Sequence, residues 1–181
     1  LETYAEERKP HVSKIVALAK EFGLIIGELD PVAAEARDRK LRAELQSGQA
    51  QTNRQKFIPD LTGGLIAKGA PAAGTLFPQP DVMTESGPAR LDDTLAPEFA
   101  IAVASPDVLT ALMPESLAIW NRLHGQLVVV KEIGSLFADW LDQNGIVAAV
   151  VRPDRTVFGG ARAGDELNAL IAALSAQLTS E

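Results

Sequence analysis

The chain has 181 residues, of which 46% are hydrophobic and 23% charged, with a net charge of −7 and no cysteine. That balance is typical of a soluble globular protein able to bury a core. It excludes disulfides, thiol catalysis and Cys-based metal sites, and it argues against a nucleic-acid surface or a polybasic membrane anchor. No apolar run approaches the ~20 residues that span a bilayer, and a cytoplasmic protein is expected. The chain opens at Leu1 inside a charged helical pattern, as expected of a piece of a longer polypeptide.

Val12, Ile15, Ala19, Phe22 and Ile26 recur at three- and four-residue steps, predicting an amphipathic helix from about Glu2 to Ile26 with Pro10 in an early turn or at a kink. Asp30-Pro31 predicts an N-cap and first position for a second helix, roughly Val32 to Leu45, whose mixed charges read as a solvated face. Residues 49–61 read as a linker. From Thr62 to Pro97 the sequence is dense in Gly and Pro, with "TLFP" and "ARLDD" as strand candidates. Within it "GGLIAKGAPAAG" departs from a phosphate loop, because Gly69 is followed by Ala70 and Pro71 rather than Lys and Ser or Thr.

Beyond Pro97 the pattern becomes regular. "FAIAVA" (99–104) is a strand, followed by a helix with Leu112, Leu117, Trp120 and Leu123 on one face. "QLVVV" (126–130) is the next strand. Ser135 is expected to cap a helix that buries Leu136, Phe137, Trp140 and Leu141 and stops at Asn144-Gly145. "IVAAVV" (146–151), the turn "RPDR" and "TVFGGA" (156–161) predict a hairpin, before a last helix with Leu167, Leu170, Ile171, Leu174 and Leu178 on one stripe. Strands separated by helices are expected to pair in parallel, and the final two antiparallel. The fold class is α/β: a thioredoxin-like fold, a central mixed sheet flanked by helices, preceded by an N-terminal helical segment. The expected domains are 1–48 (helical), 49–61 (linker) and 62–181 (thioredoxin-like), with a regular core at 98–181.

In redox members of that architecture, the first strand-to-helix junction carries a low-pKa thiolate and a partner thiol; here it carries Ser105, Pro106 and Asp107. His11 lies in a charged helical turn, and His124-Gly125 reads as a helix C-terminus. Asp92 and Asp93 are adjacent and expected to diverge. Arg152 and Asp154 serve the hairpin, and Trp120 and Trp140 fall on apolar helical faces. The residues therefore nominate no catalytic, cofactor-binding or metal-binding side chain.

Four stretches resemble one family: "LETYAEERKPHVSKIVALAKEFG" with its Tyr4, Glu7, Arg8, Pro10 and His11, "AGTLFPQPDV" (73–82), "ARLDDTLAPEFAIAV" (89–103) and "VVRPDRTVFGGARAGDEL" (150–167). They look like the C-terminal part of FAD-dependent aromatic hydroxylases, closest to the 3-(3-hydroxyphenyl)propionate hydroxylase type, with phenol hydroxylase and polyketide hydroxylases as wider relatives. The resemblance implies an upstream domain of the same polypeptide that binds FAD, is reduced by NADH or NADPH, and uses O₂ to hydroxylate a phenolic ring. It also implies a C-terminal thioredoxin-like domain, without redox cysteines, that supports structure or assembly. The family's flavin motifs are not in this sequence, so no flavin, nicotinamide or catalytic residue carries over to it. By this reading residues 1–48 close the flavin and substrate part, the upstream flavin domain is the partner, and a homo-oligomer is a further expectation. The alternative is a free-standing, cysteine-free binding or dimerisation module.

Overall fold

The computed structural model describes residues 2–48 and 58–179, which form two compact units, Leu1–Asp60 and Leu61–Glu181. Most of the expected 49–61 linker lies outside the described residues.

The first unit holds α1 (Glu2–Ile26) and α2 (Pro31–Gln46). Pro10 sits inside α1, which continues through it. Asp30 caps α2 as the sequence predicts, its carboxylate accepting from the Val32 and Ala33 amides at 2.9 Å. The Arg37 guanidinium donates to the Ile25 carbonyl oxygen and ion-pairs with Asp38 at 2.7 Å, tying α2 to the end of α1. On the apolar stripe of α1, Val12, Ile15 and Ile26 are exposed and Phe22 is 43% exposed.

The second unit begins with irregular chain and a hairpin, β1 (Asp81–Thr84) and β2 (Gly87–Arg90), followed by the single turn α3 (Leu91–Thr94). "ARLDD" is thus strand only as far as Arg90, and "TLFP" contributes a lone bridge from Leu76 to Thr156. Next come β3 (Ala100–Val103), a 3₁₀ turn (Pro106–Ala111), α4 (Pro114–Arg122), β4 (Gln126–Val129), α5 (Leu136–Asn144), β5 (Ala148–Val151), β6 (Val157–Ala161) and α6 (Glu166–Thr179). The sheet order is β4-β3-β5-β6. β3 and β4 are parallel, while β5 is antiparallel to both β3 and β6.

The direction of β5 departs from the expected parallel pairing across a helix. α5 ends beside Ala104 and Ser105, at the end of the sheet where β3 finishes. Gly145, at φ 61°, turns the chain there, and Ala148 pairs with Val103, so β5 has to run back along β3. The thioredoxin-like arrangement expected from the order of elements is the one present.

Both faces of the sheet are covered, which is why its strands are apolar throughout. Ala100, Ala102, Ala149 and Val151 meet Phe137, Leu141, Phe77, Val82 and Leu91 on one side. Ile101, Val103, Ala148, Val150 and Phe158 meet Trp120 and the α6 residues Leu167, Leu170, Ile171 and Leu174 on the other. Val157 and Phe158 are both buried because they face the two covered sides in turn, and the register slips between Val150 and Val151, leaving Phe158 as the extra residue.

The Gly/Pro-rich segment is part of this core. Ala67 and Gly74 donate to the Phe158 and Val157 carbonyls, and Gly160 donates to Pro71, so the segment runs along the outer side of β6. Phe77 is 7% exposed and meets the rings of Phe137 and Trp140 edge-on, each with centroids 5.7 Å away.

Candidate docking surface

The loop after β3 is built as a cap rather than a reactive turn. Ser105 Oγ accepts from the Asp107 amide at 3.3 Å and lies 3.2 Å from the Asp107 carboxylate. Beside it is a shallow cleft of about 230 Å³ lined by Ala104, Ser105, Val108, Ala138, Leu141, Asp142, Ile146 and Val147. Its walls are mainly aliphatic, with Ser105 and Asp142 as the polar side chains.

The other chemistry-bearing residues are dispersed. His124 has φ 53° just past the end of α4, the helix terminus expected for it. His11 lies in the helical unit, its Nδ1 buried without a hydrogen-bond partner. Asp92 and Asp93 sit on α3, where only Asp92 turns inward, to an ion pair with Arg155 at 3.0 Å. Arg152 donates to the Leu65 carbonyl at 3.0 Å and pairs with Asp154 at 2.8 Å, a hairpin role with an added tie to the Gly/Pro segment. Trp120 is fully buried, and its Nε1 donates to the Gln126 carbonyl at 3.3 Å. Among the described residues no three His, Asp or Glu side chains gather where a metal would need them.

Two helix features differ from expectation. The Ser135 side chain makes no cap bond; Glu132 instead accepts from the Phe137 and Ala138 amides at 2.7 and 2.9 Å. A carboxylate satisfies the unpaired donors of a first helical turn better than a hydroxyl, because it also meets the positive end of the helix dipole. Leu136 is 55% exposed rather than buried. As the first helical residue it lies off the stripe formed by Phe137, Trp140 and Leu141.

Sequence reasoning did not single out Arg155, Glu132 or Asn168. Asn168 binds Met113 N–H and Ala111 C=O, joining α6 to the turn before α4. Each makes its bonds to backbone, and most of those partners are distant in sequence, so local pattern does not mark them.

Two exposed apolar surfaces stand out among the described residues: Val12, Ile15 and Ile26 of α1 in the first unit, and the outer side of β4 in the second. There a cleft of about 160 Å³ separates β4 from β1, lined by Val82, Met83, Thr84, Leu91, Thr94 and residues 128–131. No described helix is long and apolar enough to cross a membrane.

Residues 74–135 match the HcaD C-terminal domain family. The chain is 31% identical to a probable NADH-specific resorcinol 4-hydroxylase of Rhodococcus jostii, over 94% of this chain and 33% of that protein. It is also 31% identical to a 3-(3-hydroxy-phenyl)propionate/3-hydroxycinnamic acid hydroxylase of Burkholderia vietnamiensis, over 87% and 34% respectively. The chain therefore spans about a third of the length of the curated relatives it matches. Among solved structures, its fold is shared by aklavinone-11 hydroxylase in complex with FAD and aklavinone (TM-score 0.60, 16% identity, covering 97% of this chain and 35% of that one). The anhydrotetracycline hydroxylase OxyS from Streptomyces rimosus shares it too (TM-score 0.59, 21% identity, 89% and 31%). A C-terminal-domain match, relatives named as hydroxylases of which the chain spans about a third, and a shared fold agree: the chain is similar to the C-terminal part of aromatic hydroxylases.

Proposed function

We propose that this chain is the C-terminal, non-catalytic module of a cytoplasmic FAD- and NAD(P)H-dependent monooxygenase that hydroxylates a phenolic acid such as 3-(3-hydroxyphenyl)propionate. The observation that carries this reading is the lopsided match. Nearly all of this chain aligns with hydroxylases of which it accounts for only a third. The missing two thirds are where the flavin chemistry belongs, upstream in the same polypeptide.

The described residues do not themselves fit a flavin. Two of their clefts, about 160 and 230 Å³, are smaller than ordinary cofactor sites. The glycines at 63, 64, 69 and 74 lie in a segment laid against β6, not in a strand-to-helix turn. The module's role is packing: residues 62–181 fold around their own sheet, and residues 1–48 offer an apolar stripe that the upstream domain covers. Homo-oligomer formation through this module is part of the same proposal.

The test is the longer reading frame. Expressed whole, it purifies yellow and consumes NADH or NADPH in the presence of a phenolic acid, while residues 1–181 alone are colourless. A gene encoding no flavin domain ahead of Leu1 overturns the reading.

A further inference from the structure

The cleft beside the loop after β3 combines an aliphatic hollow with acidic groups that nothing neutralises. Leu141 and Ile146, each only 5% exposed, form its floor, and the more open Ala104, Val108, Ala138 and Val147 form its sides. At about 230 Å³ it exceeds the roughly 150 Å³ in which an apolar cavity takes up a benzene ring. One large aliphatic side chain therefore has room there.

Two carboxylates stand at its edge. Asp142 lines the cleft from α5, and the Asp107 carboxylate lies 3.2 Å from the Oγ of Ser105, which lines it from the β3 loop. Among the described residues neither acid makes an ion pair, and no lysine or arginine lines the cleft. Asp142 is also badly placed for its own helix. It lies in the last turn of α5, where the negative end of the helix dipole repels a carboxylate, and that turn holds no basic residue. Local stability gives no reason for an acid at that position, whereas a cation brought by a partner does.

The charge of the whole unit points the same way. Residues 1–60 carry as many basic as acidic side chains, so the net charge of −7 falls on residues 61–181 and draws a basic partner towards them.

We propose that this cleft is a docking site for a basic peptide segment of a partner protein. One aliphatic side chain of the segment sits over Leu141 and Ile146, and lysine or arginine on either side of it faces Asp107 and Asp142. Exposed carboxylates hold a lone cation weakly, and a shallow hollow holds a lone aliphatic group weakly; a segment carrying both engages both. A single short segment then binds with a Kd on the order of 1 mM.

The site is independent of the hydroxylase reading, which flavin content of the longer chain tests; docking is tested on the 181-residue chain itself. The probe is the capped peptide acetyl-Lys-Leu-Lys-amide, followed through the backbone amide NMR signals of the protein. It produces saturable shifts confined to the cleft, with Ser105, Ala138, Asp142 and Val147 among them. Acetyl-Glu-Leu-Glu-amide and acetyl-Lys-Gly-Lys-amide each bind about tenfold more weakly or worse. Combining Asp107→Asn with Asp142→Asn, both on exposed side chains, weakens the basic peptide about fivefold and flattens its salt dependence. Asp142→Asn alone raises the melting temperature by about 1 °C, because the acid no longer opposes its helix. Shifts that fail to saturate or centre elsewhere overturn the proposal, as does equal binding of the acidic peptide or unchanged binding by the double variant. A melting temperature that falls in Asp142→Asn overturns it too, since the acid then has a structural role.

Discussion

The Arg155 guanidinium reaches from the β5–β6 turn to Asp92 on α3, an ion pair of 3.0 Å, and the same group donates to the Leu95 carbonyl at 3.1 Å. One side chain thereby fastens the hairpin turn to the segment that leads into β3. It does so from a left-handed backbone, φ 64°, which an L-residue adopts at a cost of about 1 kcal/mol. Arg155→Ala is expected to lower stability by about 2 kcal/mol, because it removes the pair and leaves buried carbonyls short of a donor. Arg155→Gly loses the same bonds but relieves the backbone, and its loss is expected to be smaller by about 1 kcal/mol. Urea denaturation of the two variants checks the order.

Phe77 tests whether the Gly/Pro-rich segment belongs to the folded unit. Its ring packs on Phe137 and Trp140 in the core. Phe77→Ala is expected to cost about 3 kcal/mol, whereas Leu76→Ala, at an exposed neighbour, costs under about 0.5. Equal effects in thermal melts would show that the segment is not packed as described.

Glu132 and Ser135 offer competing caps for α5. Glu132→Ala is expected to cost about 1–2 kcal/mol, since it strips both the acceptor for the Phe137 and Ala138 amides and a charge at the helix N-terminus. Ser135→Ala, whose hydroxyl contacts only the Asp139 carboxylate, is expected to cost under about 0.5 kcal/mol. The reverse ranking in denaturation would restore serine as the cap.

Gly74 and Gly145 separate backbone strain from crowding. Both have positive φ, but a side chain at 145 meets nothing within reach, while a Cβ at 74 runs into the Leu61 carbonyl. Gly145→Ala is expected to cost about 1 kcal/mol. Gly74→Ala is expected to cost at least about 2 kcal/mol more, because backbone must shift to admit it.

The regular core was legible because each of its strands is a continuous apolar run closed by a strong turn signal. "FAIAVA" and "QLVVV" correspond to β3 and β4, and "IVAAVV" with "RPDR" to the hairpin. Asp30-Pro31 marked α2 by cap chemistry that acts over three residues. What local pattern missed depends on distant partners. "DVMT" becomes a strand by pairing with Gly87–Arg90 and touching Lys131, and neither contact is written in its own four residues. "ARLDD" changes from strand to helix at Leu91, the residue whose side chain the core takes in. Ser135 has the cap residue type, but Glu132 reaches the same amides with a full charge.

The seal over β6 limits any association the sheet undertakes. A module with two bare flanks adds neighbour after neighbour and grows into a fibre, as exposed strands do when nothing stops them. Here residues 67–74 occupy the β6 flank with the chain's own backbone, so no foreign strand can add to the sheet on that side. The glycine- and proline-rich passage is in that sense a built-in stopper for one side of the sheet.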